Sequence, residues 1–74
     1  MLREYDVVSL KRTTPEVPLS VGTTGTILLV YPDDPPAFEV EFIDGGGNSL
    51  GTYTVRETDL DLFREDGPTA TDRP

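Results

Sequence analysis

Glu39 and Glu41 stand two residues apart within Ala37–Ile43 (AFEVEFI), and paired carboxylates at that spacing are a candidate acid/base couple. Side chains two apart on one strand face lie about 7 Å apart, while glycoside-cleaving carboxylate pairs work at about 5 Å or about 6.5–9.5 Å. Spacing alone therefore permits a reacting pair. Environment argues against one, because a general acid needs one carboxyl driven toward neutrality by burial, and a convex sheet exterior leaves both hydrated. The same Glu-Val-Glu alternation serves solubility and discourages edge pairing. We read the pair as surface residues and assign no catalytic group.

Other reactive constellations are missing. The chain has no His and no Cys, which removes Ser/His and Cys/His nucleophiles and the usual zinc ligands. Asp44-Gly-Gly-Gly-Asn48 lacks the ligand spacing and the late bidentate acid of a calcium loop and reads as a turn. No glycine run forms a phosphate cradle of the G-x-x-x-x-G-K-[ST] type. Asp33-Asp34, between prolines, suits a turn better than a divalent ion. No metal and no cofactor is expected.

The elements that position these residues follow from period and punctuation. A chain of 74 residues with 35% apolar content, seven Gly and seven Pro makes one small turn-rich domain with a thin core. Tyr5–Leu10 reads as a first strand, and Lys11–Val21 as an extended loop, because Pro15 and Pro18 forbid a helix and a central strand. Val17 and Leu19 anchor that loop. Gly22–Gly25 reads as a tight turn, and Thr26–Tyr31 (TILLVY) as the strongest strand, apolar on both faces. Strict alternation would send Ile27 and Leu29 inward and leave Leu28 and Val30 for a partner.

Pro32–Pro36 ends that strand. Ala37–Ile43 alternates with period two, placing Phe38, Val40 and Phe42 inside. A glycine loop joins it to Leu50–Arg56, with Tyr53 and Val55 inward. Glu57–Asp59 suits one 3₁₀ turn, and Leu60–Phe63 a short closing strand. Arg64–Pro74 has no apolar residue larger than alanine and is expected to be a disordered tail beyond a domain of residues 1–63.

Five short strands with a long first loop and a 3₁₀ turn before the last give an all-β fold, a small five-stranded SH3-like barrel. The expected core is Val8, Leu10, Leu19, Ile27, Leu29, Phe38, Val40, Phe42, Tyr53, Val55, Leu60 and Leu62. An OB-like barrel needs a helix between strands three and four, and the Asp44–Asn48 loop has no room for one.

Charge narrows the partner class. The net charge is −8, from 14 acidic and six basic residues, and Thr13–Val55 holds six acids with no Lys or Arg. Glu16, Asp33, Asp34, Glu39, Glu41 and Asp44 therefore project a negative field that repels phosphate backbones and attracts a basic surface. No nucleic acid is expected as a partner. MLREYD puts charges where a signal peptide needs an apolar run, and no apolar run approaches the ~20 residues of a membrane span, so a cytoplasmic protein with no membrane partner is expected.

DVVSL at Asp6–Leu10, L-x-x-G-x-x-G-T-I at Leu19–Ile27, VYP at Val30–Pro32 and FEVEF at Phe38–Phe42 resemble the bacterial domain of unknown function 4926 family over about residues 2–63. The resemblance implies an SH3-like barrel in the bacterial cytosol with no established activity, and it suggests an antitoxin or immunity-type role. Gly22–Ile27 is also loosely similar to the KOW motif of RNA-associated barrels, whose basic residues are absent here. The leading expectation is a non-enzymatic protein-binding module recognising a basic partner through Glu16, Leu28, Val30, Asp33, Asp34, Glu39, Glu41 and Asp44. The alternatives are a small accessory subunit of an enzyme complex and, third, a KOW-like nucleic-acid-associated barrel.

Overall fold

The computed structural model describes residues 2–63. The tail expected at Arg64–Pro74 lies outside them. Alternating apolar runs form β1 (Val7–Leu10), β2 (Thr24–Tyr31), β3 (Ala37–Ile43) and β4 (Ser49–Arg56), and a 3₁₀ turn, η1 (Glu57–Asp59), leads into β5 (Leu60–Leu62). All pairings are antiparallel, and the strands lie in the order β4-β3-β2-β1-β5. This is the expected all-β, SH3-like barrel class, left open because β4 and β5 do not pair with each other. No described helix is long and apolar enough to cross a membrane.

One sheet face closes on a single core of Val8, Leu10, Val17, Ile27, Phe38, Val40, Phe42, Val55 and Leu60, with Leu2, Leu19, Val30 and Tyr53 partly buried against it. Register explains the layers. Ile27 pairs with Val40 and Val40 with Tyr53, while Val30 pairs with Phe38 and Phe38 with Val55. Between these layers β2 carries a bulge at Leu28, where the pairing steps from Ile27–Val40 to Leu29–Glu39.

An inserted residue shifts the phase of every side chain after it. Leu29, expected inside, is therefore outside and 44% exposed, and Val30, expected on the outer face, turns inward against the core. Leu62 is also 44% exposed, since it sits on a three-residue edge strand with no described strand beyond it. Val17 fills a core position and Leu19 stays partly exposed. Reciprocal bonds across Thr14–Val17, Val17 N–H to Thr14 O at 3.1 Å and Thr14 N–H to Val17 O at 3.3 Å, fold that turn so that Val17 points inward.

β4 starts one residue before the expected Leu50 and β5 ends one before the expected Phe63, and two boundaries differ by more. Tyr5 is in the left-handed region, with φ 69°, inside a turn closed by Asp6 N–H on Arg3 O at 3.1 Å, so β1 starts at Val7. Gly25 belongs to β2 rather than to a turn. A β-carbon there would lie 2.7 Å from the Glu41 carbonyl oxygen, 2.8 Å from Val40 Cγ1 and 2.9 Å from Phe42 Cδ1. Only glycine lets β2 approach β3 this closely.

Candidate functional site

The outer face of β2, β3 and β4 is built by the residues that the core rejects. Cross-strand pairs place Thr26 beside Glu41 and Glu41 beside Thr52, and then Leu29 beside Glu39 and Glu39 beside Thr54. Glu39 and Glu41 are half-buried among these neighbours. Thr54 Oγ1 donates to Glu39 Oε1 at 2.8 Å, and the Tyr31 hydroxyl donates to the same oxygen at 3.3 Å. Ser49 Oγ donates to Glu41 Oε2 at 3.2 Å and itself accepts the Gly51 N–H at 3.2 Å. Among the described residues no donor reaches Glu39 Oε2 or Glu41 Oε1. Each carboxylate is thus oriented through one oxygen and keeps the other without a described donor.

Partial burial, then the adjacent Glu39 charge and its hydrogen bond, push the Tyr31 phenol above its ordinary value. Asp44 is arranged differently. Its carboxylate accepts the Asn48 N–H at 2.9 Å, the Asn48 side-chain amide at 3.2 Å and the Gly46 N–H at 2.8 Å, and these donors hold its carboxyl below the usual range. Asp44 therefore organises the β3–β4 loop and faces solvent with its charge already solvated by amides.

The remaining expected residues separate. Asp33 and Asp34 are exposed in the β2–β3 turn, where the Asp34–Pro35 peptide is cis. Leu28 is exposed at the bulge, whereas Val30 is withdrawn to the core and leaves the candidate face. Glu16 lies in the β1–β2 loop, beside a shallow cleft of about 430 Å³ that also touches Thr54, Arg56 and Asp59. A second shallow cleft, of about 450 Å³, places Asp44 with Val21, Ile43 and Leu50, three exposed apolar side chains. The face thus combines oriented carboxylates with an apolar border of Leu28, Leu29, Ile43 and Leu50.

Sequence reasoning missed Leu29, Tyr31, Ser49 and Thr54 as members of this face. The Ser and Thr alternating with apolar residues in β4 were the available signal, since they occupy the positions opposite Glu39 and Glu41 once β3 and β4 pair.

Countercharge is unevenly placed. The described ion pairs are Lys11 with Asp61 at 3.6 Å and Arg12 with Asp59 at 3.3 Å, both at the β1–β5 end of the sheet. Glu39 and Glu41 have hydroxyl partners and no described cation. An oriented carboxylate pair on an outer sheet face carries the charge that complements Lys or Arg.

No curated protein and no solved structure matches the chain. A family model described as Domain of unknown function (DUF4926) matches residues 4–62. That span contains every described strand and η1, and the chain belongs to this family.

Proposed function

We propose that this chain is a non-enzymatic, cytoplasmic protein-binding module whose β2–β4 face docks a basic protein, as an antitoxin or immunity factor does when it restrains its effector. The observation that carries the reading is the pair Glu39 and Glu41, each held by hydroxyls through one oxygen, in a segment with no Lys or Arg between Thr13 and Val55. Asp33, Asp34 and Asp44 extend the same field around the face. Such a field steers a cationic partner and makes its association sensitive to salt.

The border of Leu28, Leu29, Ile43 and Leu50 favours a second reading, a permanent accessory subunit held to a larger enzyme by apolar contact. Capture from the native host, run in parallel with the native chain and with Glu39→Gln/Glu41→Gln, tests both. Docking by charge predicts one basic protein retained by the native chain, released as salt rises from about 0.05 to 0.5 M and poorly retained by the double variant. Equal retention by both chains at high salt favours the accessory subunit. Retention of DNA or RNA at physiological salt sinks the charge argument altogether.

A further inference from the structure

We infer that the free edge of β4 is a strand-addition site for an extended basic segment of the partner. The inference rests on the reading of the face as a dock for a basic protein and names how that protein would be held.

The two edges of the sheet are not equivalent. β5 is three residues long and carries Asp61, which pairs with Lys11. Short length and charge are the usual means of blunting an edge. β4 lacks both: it runs for eight residues, contains no Pro or Lys, and has one charge, Arg56, at its end, and its one irregularity, an extra residue at Leu50, lies at its start and leaves Gly51–Arg56 regularly paired. Among the described residues its only strand partner is β3. Among the described residues no backbone group of Ser49–Arg56 bonds to any backbone beyond β3, although the Gly51 N–H is taken by Ser49 Oγ. Over Gly51–Arg56, where the pairing with β3 is regular, every second residue therefore turns its N–H and C=O away from β3. The cleft beside Glu16, Thr54 and Arg56 leaves space at the Thr54–Arg56 end of β4.

The side chains beside the edge specify the occupant. A strand added about 4.8 Å beyond β4 would place alternate side chains level with Thr52 and Thr54, about 10 Å across the face from Glu41 and Glu39. Lys and Arg span that distance, and the small threonines do not block them. They would reach Glu39 Oε2 and Glu41 Oε1, the two oxygens that no described donor occupies. The intervening residues would lie toward Tyr53 and Val55 and should be apolar. Arg56 at the end of β4 disfavours a further cation opposite it. The segment recognised is thus extended, alternates basic with apolar residues, and ends in a neutral or acidic position beside Arg56.

A short capped peptide alternating lysine with valine is the probe, and amide hydrogen exchange of the full chain is the readout. Strand addition predicts that the outward amides of β4, fast in the free protein, slow by about tenfold or more when the peptide is present. It also predicts that Glu39→Gln/Glu41→Gln weakens the peptide about tenfold, from two exposed ion pairs lost. A peptide with glutamate in place of lysine should not bind. Peptide binding that leaves the β4 amides unprotected overturns strand addition while leaving the acidic dock intact. Binding and protection undiminished in the double variant overturn the acidic dock itself. No binding of the lysine peptide, or β4 protection that grows with protein concentration alone and so reports pairing between two copies, also overturns the proposal.

Discussion

Replacing Gly25 by alanine tests how closely β2 must approach β3 to present the carboxylate pair. The added methyl would meet the Glu41 carbonyl oxygen at 2.7 Å, Val40 Cγ1 at 2.8 Å and Phe42 Cδ1 at 2.9 Å. One of these atoms is backbone and the other two belong to fully buried side chains, so no flexible group can yield. Overpacking of this kind costs up to about 3 kcal/mol. The smaller conformational freedom of alanine in the unfolded chain offsets about 0.4–1 kcal/mol of that. The net loss is about 2 kcal/mol, or roughly 8–16 °C in Tm for a domain of this size. The control is Gly45→Ala, where the methyl would meet nothing within 4 Å and Tm should move by no more than a few degrees. Thermal unfolding followed by circular dichroism reads both. A Gly25→Ala midpoint within about 3 °C of the native one, on the same scale, means that the β2–β3 contact is not as close as described and that Gly25 is only a turn residue.

Three further outcomes follow from the same geometry. Val30→Asp should destabilise by about 2 kcal/mol or more by burying a charge against Phe38, whereas Leu29→Asp should cost under about 1 kcal/mol. Urea titration of both variants decides the phase of β2 beyond the bulge, and equal losses would remove it. Asp44 titrates low because amides bind its charged form, so its contribution is full above the ordinary aspartate value of about 3.9 and fades as pH falls through the lower folded value. Glycine-loop amide signals followed on acidification should report that loss, and Asp44→Asn, which keeps an acceptor, should abolish the pH dependence without abolishing the loop. The Tyr31 phenol is raised, so the stability it contributes is complete below about pH 10 and declines as pH rises through the folded value. Glu39→Gln removes the neighbouring charge and should bring the Tyr31 absorbance titration to lower pH; an unchanged midpoint would mean that the two groups do not interact.

Most of the architecture was legible because it rests on strong local signals. Phe38, Val40 and Phe42 alternate cleanly, three prolines stop β2, Asp44–Asn48 turns the chain, and Glu57–Asp59 leaves room for a single 3₁₀ turn. The bulge at Leu28 was not legible. It inserts a residue into Ile27–Tyr31, a run that is apolar at every position, so the run looks the same in either phase, and only the register against β3 decides which leucine is wet. Gly25 was misread for a related reason, since a glycine required by a neighbouring strand and a glycine required by a turn look alike in sequence. The carboxylates of the candidate face were visible, but their geometry was not. Glu39 and Glu41 gain definite orientations only when Tyr31, Thr54 and Ser49 arrive from other strands, and those partners are eight to fifteen residues away.

The slope of affinity against salt for the protein captured from the native host, measured with the native chain and with Glu39→Gln/Glu41→Gln, bears most directly on the dock at the β2–β4 face. A basic partner held by these carboxylates should weaken steeply between about 0.05 and 0.5 M salt, and the double variant should show both lower affinity and a shallower slope. An affinity that is indifferent to salt and to both substitutions would mean that the acidic face is only a solvated surface.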